Sequence, residues 1–297
     1  MLLALAAAGY TLYLAYKVDN ALQTIGTPGT VPPAKSAKAR PLTFLLLGKD
    51  TREETGSLNT DVIMVASLNP TTKSATLVSI PRDTLIKVNG YRQTKANAYY
   101  ANFYIASKSK ANTNIKELFG KYLNIPIDYV AIIDFQGFVD IVDHIGGLDI
   151  DVDMDMCYRD TSDGTHIKLR KGQQHLDGEK SLDFVRYRHS NCNPPTAESG
   201  DLERNQRQQE VLGDLLGKMK SPVVLPKLGS MIESIGKNLQ TDIPTEQIRQ
   251  LIQTYIGIDR DKINYIHLNG TWQSPYIYVD SSELKSAQKA LKLQSGN

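Results

Sequence analysis

The 297 residues carry 41% hydrophobic and 22% charged side chains, the balance of an ordinary globular protein with enough chain for a sizeable core. A formal net charge of +2 excludes a whole-molecule field that would draw the chain to nucleic acid, so any basic site is local. Two cysteines, Cys157 and Cys192, are too few for a disulfide scaffold or a zinc site, although they fit an oxidising compartment.

Leu2 to Tyr16 is almost wholly apolar, and the first charge is Lys17. A bilayer span needs about 20 apolar residues, and no basic residues precede the run as they do in a signal peptide. The segment reads as the outer part of a truncated transmembrane helix, with an ordinary buried helix as the alternative. Residues 26–41 are rich in proline, glycine and small polar residues and read as a linker with nothing to bury. The expected organisation is a transmembrane segment and stem over 1–25, a linker over 26–41 and a folded domain over 42–297.

Within that domain, Thr43–Gly48, Val62–Leu68 and Ala75–Ile80 are predicted strands, with Asn69-Pro70 turning between the last two. Asn97–Tyr104 and Asn114–Leu123 look helical, and Tyr129–Ile133 is a strand. Phe135, Phe138, Val139 and Val142 make an apolar helix face that ends at Gly146-Gly147. Leu148–Val152 alternates as a strand. Asp201–Lys220 is a long helix, Thr245–Tyr255 another with Thr245 as its N-cap. Ile263–Leu268 and Tyr276–Val279 are strands, and a helix runs from Ser281. Strands interleaved with helices predict an α/β domain, a central sheet covered on both faces; the pattern leaves the strand order open.

Three groups of residues offer chemistry. Asp50 lies just past one strand and Asp61 begins the next; two carboxylates meeting at strand ends suit a magnesium ion with phosphate oxygens, or are ordinary turn and cap aspartates. Arg82 follows a strand that stops at Pro81 and is placed to bind phosphate with two donors, or to pair with Asp83. Arg186-Tyr187-Arg188-His189 ends one helical segment, and Asp201, Arg204, Arg207 and Gln208 open the next; with spacings of three and four they share a helix face. They are an anion site, or a solvated basic face paired with Glu203 and Glu210. There is no G-x-S-x-G, H-E-x-x-H, Walker loop, G-x-G-x-x-G or C-x-x-C.

In order, Leu45-Leu46-Leu47-Gly48-Lys49-Asp50-Thr51-Arg52, Asp61-Val62-Ile63-Met64-Val65, Ser79-Ile80-Pro81-Arg82-Asp83, Lys95-Ala96-Asn97-Ala98-Tyr99, Phe138 to Asp143 with Gly146-Gly147, Leu176-Asp177-Gly178-Glu179, Arg186-Tyr187-Arg188-His189 and Asp201 to Gln208 resemble the LytR-CpsA-Psr family, of the wall teichoic acid transferase type. The likeness runs from about Leu42 to Met219. It implies an extracytoplasmic α-β-α sandwich with a mixed sheet, anchored by one pass in the bacterial cell membrane. It also implies a phosphotransferase that moves a glycopolymer from a polyprenyl-pyrophosphate carrier to a peptidoglycan hydroxyl and releases polyprenyl phosphate. By the same resemblance Asp50 and Asp61 hold Mg2+ or Mn2+, while Arg52, Arg82, Lys95, Arg186, Arg188, Arg204 and Gln208 contact the pyrophosphate. Arg82, Asp83 and Arg186 are the expected catalytic residues, Asp83 either as general base or as the group that orients Arg82. A hydrophobic chamber for the polyprenyl chain is expected beneath the arginines, lined partly by Phe135, Phe138, Val139 and Val142.

The sequence departs from the family where Asn59 stands in place of a frequent arginine, and in a longer loop between Arg188 and Asp201. The rival readings are a pyrophosphatase that uses water as acceptor and a polyprenyl-pyrophosphate-binding module without ligase activity. Nucleic acid is not an expected partner, as no helix-turn-helix or basic stripe is present. If the domain is extracytoplasmic, where disulfides persist, Cys157 and Cys192 are expected to bond and to hold the Arg188 loop; two separate thiols are the alternative.

Overall fold

The computed structural model describes residues 2–49, 58–161, 164–221, 223–256 and 258–296, with the backbone alone at 2–12, 201, 202 and 225. Helix α1 (Leu2–Ile25) is followed by strands β1 (Leu42–Lys49), β2 (Thr60–Asn69) and β3 (Ser74–Ser79) and the short strands β4 (Leu85–Ile86) and β5 (Thr94–Lys95). Helices α2 (Ala98–Ala106) and α3 (Ala111–Leu123) lead to β6 (Tyr129–Asp134), α4 (Phe135–His144), β7 (Leu148–Val152), β8 (Met156–Arg159), β9 (His166–Leu169), β10 (Gly172–Leu176) and α5 (Gly178–Arg186). The chain closes with α6 (Asp201–Met219), α7 (Leu228–Ile235), β11 (Leu239–Thr241), α8 (Thr245–Tyr255), β12 (Ile263–His267), β13 (Gly270–Gln273), β14 (Tyr276–Val279) and α9 (Ser281–Ser295).

The main sheet has six strands in the order β11-β6-β1-β2-β3-β12. β2 runs antiparallel to both β1 and β3, whereas β6 is parallel to β1 and β12 to β3. β1, β3, β6 and β12 therefore end at one edge of the sheet, and β2 begins there. Alternation along each strand splits the core in two. Leu45, Leu47, Ile63, Val65, Val78, Val130 and Ile132 pack with residues of α2, α3 and α9. Leu46, Met64, Ala66 and Leu77 face the other way, against Leu212 and Leu216 of α6 and Leu251 and Tyr255 of α8. Helices thus cover both faces of a mixed sheet. A second cluster joins β7, β10, α4, α5, α6 and α7 around Val142, Ile150, Leu176, Phe184, Val211 and Met231.

Three expectations need correction. Residues 26–41 are not free of burial: Ala37 is fully buried, its N–H donates to Gln247 Oε1 at 3.2 Å, and Gln247 donates to the Lys35 carbonyl at 2.9 Å. Thr27 and Thr245 bond through their backbones, so the segment is stitched along α8. Thr245 is not a cap but the first helical residue, after Pro244. The apolar face of α4 is core and not a chamber wall, because α5 and α7 close over it: Val139 and Val142 are buried and Phe138 packs into the same cluster. At the N-terminal end Ala21 and Leu22 of α1 are buried against Ile232 of α7, and among the described residues no helix is long and apolar enough to cross a membrane.

Three glycines place the helix that carries Arg186. Gly147 (φ +79°) follows Gly146 (φ +84°) in the left-handed region that favours glycine, and together they end α4. Gly178 opens α5 so close to α4 that a Cβ there would lie 2.4 Å from the Val139 carbonyl oxygen. Its N–H donates to Asp143 Oδ1 at 2.7 Å, fixing the approach. Gly178→Ala is expected to lower stability by roughly 1–3 kcal/mol as α5 is pushed from α4, measured by denaturant unfolding with an unchanged m-value.

Candidate functional site at the carboxyl edge of the sheet

In an open sheet with helices on both faces, ligands bind beyond the carboxyl ends of the parallel strands. Asp61 opens β2 at that edge, and the turn after β3 brings Arg82 and Asp83 beside it. This turn is fixed by its backbone: Asn97 donates to the Arg82 carbonyl at 3.0 Å, and Ala96 to the Thr84 carbonyl at 2.8 Å. Arg82 Nη1 donates to Asp61 Oδ1 at 2.6 Å, and Arg82 Nε lies 3.6 Å from Asp83 Oδ2. Lys95 Nζ, at the end of β5, lies 2.7 Å from Asp83 Oδ1. Burial acts to lower the Arg82 pKa, but Asp61 and Asp83 outweigh it and hold the guanidinium above its usual value. Two cations are thus spaced by Asp83, which engages one with each oxygen. Side-chain exposures from 16% at Asp83 to 34% at Arg82 leave the group within reach of an incoming anion.

The donor chemistry fits one corner of a magnesium site. Asp61 offers a partly exposed carboxylate of the kind Mg2+ takes together with phosphate oxygens. Asp50 and Arg52, the other residues expected here, lie outside the described residues. Among the described residues no group of three or more His, Cys, Asp or Glu comes together.

The remaining expected residues sit on α5, α6 and the loop between them. Arg186 stacks over the Phe135 ring, 4.8 Å from its centroid, and Phe135 begins α4 directly after β6. Arg188 is exposed, and its carbonyl accepts from Ser199 N at 2.8 Å; Arg204 is half-buried, its N–H donating to Gly200 O at 3.3 Å. Gln208 reaches the sheet edge, lining with Ser79, Asn205 and His267 a slot of about 10 Å³, room for one water. Glu203 and Glu210 accept from the Gly200 and Asp151 backbones.

Arg207 does something different from its neighbours. It is 2% exposed and makes a two-pronged contact with Asp153, Nε to Oδ1 at 2.9 Å and Nη2 to Oδ2 at 2.8 Å. Its Nη1 donates to the Tyr187 carbonyl and to Ser199 Oγ, each at 3.2 Å, and the guanidinium lies near the Phe184 and Tyr187 rings. The arginine run in α6 reads alike in sequence; only its long-range partner Asp153 separates the structural member.

Cys157 of β8 and Cys192 of the loop are disulfide-bonded, with Cα atoms 5.9 Å apart. The same loop is held by Asn191, which pairs with the Arg159 backbone, and by Thr196, which accepts from Cys157 N at 3.0 Å and bonds the Tyr187 hydroxyl at 2.8 Å. One further group is not prominent in sequence. Asp183, half-buried one turn before Arg186, has its carboxyl pushed up to about 7 by burial, with Arg186 acting in the opposite direction.

Comparison with known proteins bears on the family and the fold. The profile of the LytR_cpsA_psr family matches residues 12–293, further in both directions than the motifs alone. A relative from Bacillus subtilis (strain 168), polyisoprenyl-teichoic acid–peptidoglycan teichoic acid transferase TagV, is 30% identical over 266 residues, 86% of this chain and 65% of its own length. The protein named polyisoprenyl-teichoic acid–peptidoglycan teichoic acid transferase TagU from Bacillus mycoides (strain KBAB4) is 34% identical over 226 residues, 76% of this chain and 68% of its own. The crystal structure of B. subtilis TagV superposes with a TM-score of 0.68 at 28% identity, covering 86% of this chain and 98% of that one. The chain thus spans about two thirds of the length of the curated relatives it matches.

The raised Asp183 pKa has a defined effect on stability. An acid whose folded pKa lies above its unfolded value, here about 7 against 3.8, favours the fold when protonated. That contribution is complete below about pH 4 and lost as the pH rises through 7. Asp183→Asn stays neutral, so its Tm is expected to rise relative to the parent between pH 4 and 7, with the gap constant above about pH 8. Thermal melts of both proteins at matched pH check this; a gap that does not change with pH removes Asp183 as a buried titrating group.

Proposed function

The chain belongs to the LytR_cpsA_psr family, and from that premise we propose that it transfers a glycopolymer of the teichoic acid kind from a polyprenyl-pyrophosphate carrier to a peptidoglycan hydroxyl. The observation that carries this reading is the paired cations at the carboxyl edge, Arg82 and Lys95, held on either side of Asp83 and facing Asp61. Phosphoryl transfer asks mostly for positioning and neutralisation of charge on the phosphate oxygens, and two fixed cations on a partly exposed turn supply both. The names of the relatives, teichoic acid transferases acting on peptidoglycan, point to the same donor and acceptor.

In this proposal the pyrophosphate displaces Asp61 from Arg82, whose fork engages two phosphate oxygens, while Lys95 neutralises a third as a point charge. Asp83 orients the two cations instead of acting as base, since both its oxygens are engaged. Arg186, steadied on the Phe135 ring, and Arg188, Arg204 and Gln208 approach the pyrophosphate from the α5–α6 side. The acceptor oxygen bonds the phosphorus on the polymer side, the bond to the carrier phosphate breaks, and polyprenyl phosphate leaves as the anion; the hydroxyl proton passes to solvent. Asp61, with Asp50, would hold Mg2+ or Mn2+, which when bound supplies further neutralisation of the phosphate oxygens. The site would face the outside of the cell membrane, with a single-pass anchor at the N-terminal end. The carrier's polyprenyl chain would lie against the bilayer.

Incubating the protein with a short lipid-linked teichoic acid precursor and peptidoglycan fragments, with and without Mg2+, should yield a phosphodiester-linked conjugate and polyprenyl phosphate by mass. Free phosphorylated polymer in place of the conjugate would mean a pyrophosphatase. Arg82→Ala is expected to lower kcat/KM about 10²-fold, the scale for losing one fixed donor to a developing anion. Asp61→Ala should abolish the magnesium-dependent fraction; an Asp61→Ala protein that still responds fully to Mg2+ removes that residue from the metal site.

A further inference from the structure

Beyond the charged cluster the chain leaves β12 and folds into the β13–β14 hairpin. All four residues of β13 are exposed, and one is Trp272, 55% exposed and the sole tryptophan of the chain. In the hairpin register Trp272 stands opposite Ile277, so the two share a face. Ile277 is buried, donates its N–H to the Asp83 carbonyl at 2.9 Å and bridges to Thr84. That contact fastens the hairpin to the turn that presents Arg82 and Asp83. On the same side the Lys95 ammonium lies 5.9 Å from the Trp272 ring centroid while it bonds Asp83 at 2.7 Å. Trp272, Lys95, Asp83, Arg82 and Asp61 are therefore one continuous chain of contacts, running from open surface into the candidate site.

An indole on a strand that buries nothing contributes little to the core; other exposed large apolar side chains, such as Ile105 and Leu293, lie on helices α2 and α9. We propose that Trp272 and Lys95 form a saccharide platform that holds the glycan strand of the acceptor. The inference rests on the transfer reading above and names the part of the surface that serves its second substrate. The argument is one of reach and chemistry. An attacking hydroxyl must come within about 3–3.5 Å of the phosphorus, so a phosphate on Arg82 and Lys95 places the acceptor sugar within a few ångströms of that pair. The flat C–H face of a pyranose stacks on an indole, whose rigid, amphipathic ring gives contact area at low entropic cost. The ammonium that meets the phosphate lies against the same ring, so sugar and phosphate would be held side by side. The open position of β13 suits a polymer lying across it.

The single tryptophan makes the test direct. Fluorescence of the whole protein, titrated with soluble peptidoglycan glycan strands stripped of peptide, is expected to shift saturably. By calorimetry Trp272→Ala should weaken strand binding roughly tenfold, the scale of one lost aromatic contact. The acceptor KM should rise by a similar factor, and Trp272→Phe should recover most of the loss. Circular dichroism of the variants checks that the fold is kept. Strands that bind without moving the fluorescence, or that bind Trp272→Ala as they bind the parent, overturn the proposal. A fluorescence shift caused by the lipid-linked donor and not by glycan strands also overturns it. Saturable strand binding at Trp272 by a protein that transfers nothing supports the platform and counts against the transfer reading instead.

Discussion

A buried guanidinium with nearly all of its donors matched organises this half of the molecule. Arg207 enters from α6 and closes on Asp153 beyond β7, on the carbonyl at the end of α5 and on Ser199 of the intervening loop. A charge 2% exposed is tolerable only when nearly every donor is matched, and that demand fixes three segments to one another. Arg186 and Arg188 flank Tyr187, whose carbonyl Arg207 holds, and Arg204 and Gln208 flank Arg207 on the helix. The residues offered to an anion are therefore neighbours of the one that is not. Removing Asp153 would strand the buried Arg207, a penalty of about 3–5 kcal/mol, and would loosen both arginine-bearing segments together; Asp153 itself is 39% exposed and would be hydrated if Arg207 were lost.

The other half of the site follows from strand direction. Because β2 is antiparallel to both neighbours and β11 to β6, while β6 and β12 run with β1 and β3, four strand ends and two strand starts meet at a single edge. Asp61, Arg82 and the hairpin that follows β12 come from well-separated parts of the chain, yet the sheet brings them into contact. Their ion pairs are too exposed to be sizeable stability terms; in the proposed reaction they would set charge and orientation for the pyrophosphate.

The sequence made much of this visible and hid the rest for identifiable reasons. Strands β1, β2, β3 and β6 announce themselves as short apolar runs because both faces of the main sheet are covered. Helix α4 is legible from its spacing and from Gly146-Gly147. By contrast β13 has no burial pattern, since all its residues are exposed, and β5 and β11 are two or three residues long. The segment over 26–41 looks like a linker by composition, yet Ala37 is buried because Gln247, 210 residues away, captures its backbone. Asp61 and Arg82 were each readable as a residue at a strand end, in separate groups, and their direct bond was not. The apolar face of α4 illustrates the limit of periodicity: the same spacing describes a wall of a chamber and a helix packed on two others.

The Cys157–Cys192 bond bears on the entropy of recognition. It joins β8 to the loop that follows Arg188, adding a covalent tie to the hydrogen bonds of Asn191 and Thr196, and the closed loop spans a sequence separation of 35. Restricting that connection removes conformations chiefly from the unfolded chain, by roughly 4 kcal/mol in the chain-entropy model. The cost of ordering the loop is then met during folding and not again when an anion arrives. An anion binding there meets a preorganised surface, and more of its interaction energy survives as affinity. A covalent link with no part in the reaction thus sharpens binding by narrowing what the free protein is allowed to be.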